Sequence, residues 1–476
     1  MKILLFTTPW RFSETSGKLM HSQKYGWIKK LLAINNQSVM GPFPPLGLLY
    51  LSSVLKNSGH QVTVLDGFFV SKEDILKKIE KGQFGLIGLS TITCRWKKDC
   101  TFLQAIKEKF PLIPIVIGGS HATGWRENCF KDSKAIDYLV CHDGEDTLLE
   151  LVRSLEEKGD VAQIKGLLWR KEGTGEVVAN EDKNFLTDLD TLPFPDWEAV
   201  DIYKYIPTLT NYKKLPSIDM IGSRGCFFEC IFCHSSKVVR KRSVENILAE
   251  IDILVKDYGI RDITFYDETF TVFPDKVRLL CEELIKRNYN LSWAANARGD
   301  SLSKELLLKM KEAGCWRLLF GIESGSQSVL DTLRKKTTIS GLKEAVAMTK
   351  ACGIEVHGTM LFGTPGETYE EALKTIVLAR ELDLDYVAFG AIAPFPGTEL
   401  FNMIDNPLEY DFDKMNLLTV SYIPDSLTKE ELERLLKISY RKFYFRLGYL
   451  YKRIKKIRSF EDLRKNIVGF LGMLDA

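Results

Sequence analysis

Short apolar runs alternate with longer stretches of helical spacing along this chain. They do so in two series, divided by the Pro-rich piece Leu192-Pro193-Phe194-Pro195-Asp196-Trp197. The rhythm leaves few folds open, because successive buried strands joined by helices form parallel sheets covered on their faces. In residues 1–160 the pattern predicts strands at Ile3–Thr7, Val62–Asp66, Leu86–Ser90, Ile115–Gly118 and Asp137–Cys141. Helices are expected at Leu46–Asn57, Lys72–Lys81, Phe102–Phe110 and Thr147–Glu157. This is an α/β, Rossmann-like domain. Residues 161–215 hold an expected hairpin, Ile164–Ala179, and then the linker.

The second series, residues 216–400, predicts strands at Ile218–Gly222, Ile263–Tyr266, Ser292–Ala295, Arg317–Gly321, Val356–Phe362 and Tyr386–Ala391. Helices fall at Val244–Lys256, Asp275–Arg287, Lys304–Glu312, Ser340–Ala351 and Tyr369–Leu382. Six strand–helix repeats make a partial (β/α)6 barrel, whose chemistry belongs at the C-terminal ends of the strands. Residues 401–476 read as a small helical region. A chain of 476 residues can hold two or three such domains.

Composition narrows the classes of function. A net charge of +2 offers no basic excess for nucleic acid. Ten cysteines, mostly scattered through apolar stretches, do not form a disulfide framework and imply a reducing cytoplasm. No apolar run is long enough to span a membrane, and the N-terminal run is too soon interrupted for a signal peptide.

Three cysteines are not scattered. Cys226, Cys230 and Cys233 lie in Arg224-Gly225-Cys226-Phe227-Phe228-Glu229-Cys230-Ile231-Phe232-Cys233-His234, directly after the first strand of the second series. Each iron of a four-iron cubane needs an outer ligand, so three thiolates leave one iron open to a small molecule. The alternative is zinc held by the three thiolates and His234, but a ligand directly after Cys233 suits a tetrahedral ion poorly. The run resembles the radical S-adenosylmethionine (SAM) superfamily. That resemblance implies a [4Fe-4S] cluster on the three cysteines, with SAM chelated at the open iron and Phe232 among its contacts.

The strand ends of the first series carry Ser90-Thr91-Ile92-Thr93, Gly118-Gly119-Ser120-His121-Ala122-Thr123 and His142-Asp143-Gly144-Glu145. Small polar residues there suit a large polar ligand. No Gly-x-Gly-x-x-Gly follows the first strand, which disfavours a dinucleotide. Together with Pro44-Pro45-Leu46-Gly47, these motifs resemble the cobalamin-binding subgroup of radical SAM enzymes. The resemblance implies cobalamin contacts at Ser90, Thr91, Thr93, Cys94, Gly118, Gly119, His121, Thr123, Gly144 and Glu145. None of the six histidines lies in Asp-x-His-x-x-Gly, so no imidazole of that motif holds the lower face of the corrin, and Thr93, Cys94 and Arg95 are the candidates to lie beneath it. The alternative is a structural domain without ligand, with His121 capping a helix.

The same resemblance assigns SAM contacts around the barrel rim. They are Asp267 and Glu268, then Asn296 and Arg298, then Glu323 and Ser324 of Gly-x-Glu-Ser, then Gly363 and Pro365 of Gly-x-Pro-Gly-Glu. The plain alternatives are a helix cap for Asp267 and Glu268 and a rim salt bridge for Glu323. Lys335, Lys336 and Thr337 read as solvated. Residues 437–458 hold nine Lys or Arg and no acid, interleaved with aromatics. They either close the open side of the barrel or lie on an anionic membrane surface.

The implied activity is a cobalamin-dependent radical SAM C-methyltransferase. A 5′-deoxyadenosyl radical would activate a carbon of a small, lipid-like or polycyclic substrate, and methylcobalamin would deliver the methyl group. An external flavodoxin- or ferredoxin-type donor would supply the electron. An oxidative cyclase or ring-contracting enzyme with the same cofactors is the second reading. A sensor or electron carrier is the third.

Overall fold

The computed structural model describes residues 1–9, 41–208, 210–404, 411–457, 463, 466 and 467. Its N-terminal sheet has seven strands: β1 (Lys2–Phe6), β2 (Gln61–Leu65), β3 (Leu86–Ser90), β4 (Ile115–Gly118), β5 (Tyr138–Val140) and the pair β6 (Leu167–Arg170) and β7 (Val177–Ala179). The order is β2-β1-β3-β4-β5-β6-β7, parallel through β5, with β6 and β7 antiparallel as the expected hairpin. The order reverses at β1/β3, and in such sheets ligands sit beyond the strand ends near that reversal. Helices α1 (Leu46–Asn57), α2 (Lys72–Gly82), α3 (Trp96–Lys109), α4 (Ser120–Trp125), α5 (Asn128–Asp132) and α6 (Glu145–Glu157) pack on this sheet. The strands are near-continuous apolar runs because both faces are covered. Helix α3 starts six residues before the expected Phe102, because a 3-10 turn at Thr93–Arg95 leads straight into it. With no side-chain cap there, the sequence lacks the usual start signal.

The second sheet is a six-stranded parallel half-barrel. It comprises β8 (Ser217–Met220), β11 (Asp262–Phe265), β12 (Ser292–Ala297), β13 (Cys315–Glu323), β14 (Glu355–Phe362) and β15 (Tyr386–Ala391), hydrogen-bonded in that order. A short antiparallel pair, β9 (Ser223–Arg224) with β10 (Arg240–Lys241), brackets the cysteine run. The barrel helices are α7 (Val244–Lys256), α8 (Pro274–Arg287), α9 (Lys304–Glu312), α10 (Gln327–Thr332), α11 (Ile339–Ala351) and α12 (Tyr369–Glu381), followed by α13 (Glu399–Asn402). Strand alternation sends Ile218, Met220, Ile263, Phe265, Trp293, Ala295, Leu318 and Phe320 outward into one apolar core with these helices. The intervening residues face the lumen.

Two adjacent linker residues tie the sheets together. Asp196 accepts from Ser52 Oγ at 2.5 Å and Lys56 Nζ at 2.7 Å on α1, while Trp197, buried, donates to Glu250 of α7 at 3.3 Å. The tail covers the exposed edge of the half-barrel through α14 (Lys429–Tyr444) and α15 (Leu447–Lys455). Tyr444 Oη accepts from the Val387 N–H at 2.9 Å and donates to its carbonyl at 2.7 Å. Tyr440 does the same for Phe389, at 3.1 and 2.9 Å. Two tyrosines one helical turn apart thus stand in for the missing neighbour strand, as an open edge requires. Of the two readings of the tail, closure of the barrel is the one these contacts fit. Arg458, the last residue of the basic run, lies outside the described residues.

Candidate functional site

The cysteine run leaves the C-terminal end of β8 as a loop pinned from several sides. Gly225 has φ +88°, and a Cβ there would stand 2.2 Å from the Val238 carbonyl, so only glycine allows the entry turn. Its N–H donates to Glu268 Oε2 at 3.2 Å, and Ser235 Oγ donates to Glu268 Oε1 at 3.1 Å. Glu268 thereby staples both ends of the loop. The Cys226 N–H donates to the Ser236 carbonyl at 2.8 Å and Ile231 N–H to Leu333 O at 3.3 Å. The Arg298 guanidinium lies 3.5 Å from the centre of the Phe228 ring.

All three thiols are free and half-buried. Burial pushes the Cys230 and Cys233 thiols up, opposed at Cys230 by the charges of Lys335 and Arg298. Soft donors on one loop beside cationic side chains fit the outer ligands of an iron–sulfur cluster, which binds them as thiolates. Among the described residues no three His, Cys, Asp or Glu side chains stand close enough to hold a single metal ion.

A cavity of about 940 Å³ opens beside this loop. Cys230, Cys233 and Glu268 line one side of it, and Gly119, Thr123 and His142 of the N-terminal sheet line the other. Gly119 has φ +99°, and a Cβ there would meet the Thr91 carbonyl at 2.5 Å. Gly124 packs on the Pro396 carbonyl, where a Cβ would reach 2.1 Å. These glycines let backbone segments close up against one another beside the cavity, and the small residues on its wall fit a large polar ligand such as a corrin.

At the rim, most expected contacts are occupied by the protein itself. Asp267 is buried, and its carboxylate accepts from the Gly222 N–H at 2.7 Å and Ser223 Oγ at 2.5 Å; burial pushes it up to about 6. Asn296 donates to the Asp267 carbonyl at 2.8 Å. Arg298 pairs with Asp300 at 2.7 Å and donates to the carbonyls of Lys335 and Lys336, so its counter-anion is a neighbour in sequence. Ser324 is enclosed, 3.2 Å from Thr375 Oγ1. The Gly363 N–H donates to buried Glu367 at 2.6 Å, and Pro365 beside it is half-buried.

Glu323 has φ +63° at an irregularity of β13 and pairs with Lys335 at 2.7 Å. That pair corrects the expectation for Lys335. It is half-buried rather than solvated, its side chain 12% exposed, because α10 ends just before it and turns it back under the rim. Phe232 packs against a small cluster around Ile231 and Leu333.

The N-terminal residues divide. Gly119 and Thr123 line the cavity, while Ser90, Gly118 and Gly144 are half-buried at the strand ends. Thr91 is internal, its hydroxyl donating to Gly118 O at 2.9 Å. His121 turns inward rather than toward the cavity. It is fully buried within α4, its ring tilted against Trp96 with centres 4.5 Å apart and its Nδ1 3.2 Å from Thr93 Oγ1, and burial lowers its pKa to about 3. Cys94 is half-buried, its thiol pushed up by burial.

Glu145 is likewise committed: it accepts from Arg224 at 2.7 Å, two residues before Cys226. Asp143 pairs with Arg240 and, at 3.4 Å, with Arg224. This clamp joins the strand ends of one sheet to the hairpin holding the thiol loop of the other. Its partners are 79 or more residues apart, and no local signal foretells it.

Comparison with known proteins agrees with this arrangement. Residues 33–152 match the B12 binding domain and residues 220–379 the Radical SAM superfamily. An uncharacterised methyltransferase of Pyrococcus horikoshii is 32% identical over 90% of this chain and 93% of its own. The anaerobic magnesium-protoporphyrin IX monomethyl ester cyclase of Rubrivivax gelatinosus is 30% identical over 91% of this chain and 79% of its own. The structure of the radical SAM methyltransferase TsrM from Kitasatospora setae, solved with cobalamin and a [4Fe-4S] cluster, superposes with a TM-score of 0.68 at 16% identity. It covers 92% of this chain and 90% of its own.

Proposed function

Because the chain belongs to the cobalamin-dependent radical SAM enzymes, we propose that it is a C-methyltransferase acting on an unactivated carbon of a small molecule. Cys226, Cys230 and Cys233 would hold the [4Fe-4S] cluster, with SAM at the open iron and cobalamin at the strand ends around Gly119 and Thr123. One observation carries this reading: a single cavity is bordered by the thiol loop and by those strand ends. When bound, these groups supply a substrate radical generated through SAM and a methyl group carried on cobalt.

The chain's own residues position and enclose. Glu268 fixes the thiol loop at Gly225 and Ser235. Arg298 holds Phe228 from above while its nitrogens are anchored on Asp300. The Asp143–Glu145 clamp on Arg224 and Arg240 sets the separation of the two cofactor sites, which geometry-sensitive chemistry requires. A flavodoxin- or ferredoxin-type donor is the proposed redox partner.

An oxidative cyclase is the second reading, supported by the 30% identity to a cyclase over most of both chains. Contact with a membrane would use the exposed apolar residues Leu447, Tyr451 and Ile454 on α15. The deciding experiment incubates the reconstituted protein with SAM bearing a deuterated methyl group, reductant and cobalamin, followed by mass spectrometry of the corrin. A methyltransferase yields deuteriomethyl cobalamin on the protein. A corrin that never acquires the label moves the assignment to the cyclase.

A further inference from the structure

The lumen of the half-barrel holds a carboxylate that nothing in the site has used. Strand registers place Asp219 beside Thr264, Thr264 beside Ala294, and Ala294 beside Arg317. Paired residues of adjacent parallel strands point to the same face, and Ile218, Met220, Ile263, Phe265, Trp293, Ala295 and Leu318 beside them lie in the outer core, so the four form one inward layer. Ala294 and Thr264 lie two residues before the rim residues Asn296 and Tyr266. The layer is therefore the floor of the lumen, roughly 7 Å below the rim.

Charges on this floor do not balance. Asp262, one layer lower, accepts from Ser292 Oγ, from the Lys213 N–H at 3.1 Å and from Ser217 Oγ at 3.3 Å. Arg317 spends one terminal nitrogen on the Thr210 carbonyl and on Asn211 Oδ1 at 2.7 Å. His357 is 3.4 Å from that nitrogen, and burial keeps it neutral, with a pKa lowered to about 3. Two carboxylates thus face one guanidinium. Asp219 is 4% exposed and accepts no hydrogen bond from the described residues; burial, helped by the Asp262 charge and opposed by that of Arg317, pushes it up to about 8. Tyr266 lies two residues beyond Thr264, close enough to feel the Asp219 charge, and its ring meets that of Phe43 edge-on with centres 5.5 Å apart, each residue being 40% exposed. A buried carboxylate short of donors, with partly exposed aromatic rings nearby, is the chemistry that recognises an organic cation.

We propose that Asp219 anchors a protonated nitrogen of the substrate, with Tyr266 and Phe43 as its aromatic wall. The inference rests on reading the barrel as the radical SAM site, and it makes the substrate an organic amine or guanidine rather than a neutral lipid. Anchored on the floor, such a molecule presents its other end to the rim, where SAM would lie.

The test uses benzylammonium as the cationic probe and benzyl alcohol as its neutral counterpart, followed by saturation-transfer NMR on the reconstituted full chain. Benzylammonium should bind the wild type in preference to benzyl alcohol. Asp219→Asn should weaken it about 10-fold or more with benzyl alcohol unaffected. Tyr266→Leu, which leaves Asp219 in place, should weaken it about 3-fold and decides the matter if the first variant does not fold. Absence of binding, equal binding of both probes, or undiminished ammonium binding to Asp219→Asn overturns the proposal. Wild-type SAM cleavage is measured in parallel: its absence would defeat the radical SAM reading, whereas intact cleavage without ammonium selectivity would defeat only the cation site.

Discussion

The rim and the floor of the half-barrel are both rich in charge, yet they use it differently. At the rim each strongly polar group has a protein partner: Glu323 with Lys335, Arg298 with Asp300, Glu145 with Arg224, and Asp267 with Gly222 and Ser223. On the floor Asp219 has no hydrogen bond or ion pair among the described residues, only the nearby charge of Arg317. Paired charges hold loops where the cofactors need them. An unpaired buried carboxylate costs stability and is retained where a ligand repays that cost. The contrast separates residues that build the site from a residue that waits for something to enter it.

The rim side of this contrast breaks most completely at the thiols. Replacing Cys226, Cys230 and Cys233 with Ala should abolish SAM cleavage under dithionite, assayed as 5′-deoxyadenosine. Next, Glu145→Gln leaves half-buried Arg224 with only Asp143 at 3.4 Å and should cost about 2 kcal/mol in urea unfolding. Its 5′-deoxyadenosine should form while cobalamin methylation lags, a split that general destabilisation would not produce. The floor predicts the opposite sign. The folded pKa of Asp219, about 8, lies above the ordinary 3.8, so its contribution to stability is full below pH 4 and is lost as pH rises toward 8. Asp219→Asn should therefore melt about 3 °C above the wild type at pH 8, a gap that closes toward pH 4. The smallest effect belongs to the tail: Tyr444→Phe removes both contacts to Val387 and should cost about 1 kcal/mol by the same unfolding measurement.

Much of this architecture is legible in the residues. Helices such as Leu46–Asn57 and Lys304–Glu312 begin and end where spacing places them, because buried parallel strands leave unbroken apolar runs between amphipathic segments. The thiol triplet is legible because its ligand spacing is local. What is not legible depends on contacts across the fold. Lys335 follows a helix start and reads as solvated, and only the turn back under Glu323 draws its side chain in. Glu145 carries a motif that resembles a cobalamin contact, but its carboxylate reaches Arg224 in the other sheet. Asp219 did leave a signal, a lone acid inside the apolar strand Ile218–Gly222. Such an acid must find a partner or serve a ligand.

One measurement bears most directly on the whole account. The protein is reconstituted anaerobically with iron, sulfide and cobalamin, given SAM and reductant, and both nucleoside products are quantified. The account predicts 5′-deoxyadenosine together with S-adenosylhomocysteine, the first lost in the triple cysteine variant. No 5′-deoxyadenosine from a fully loaded wild type, or its persistence in that variant, would contradict it.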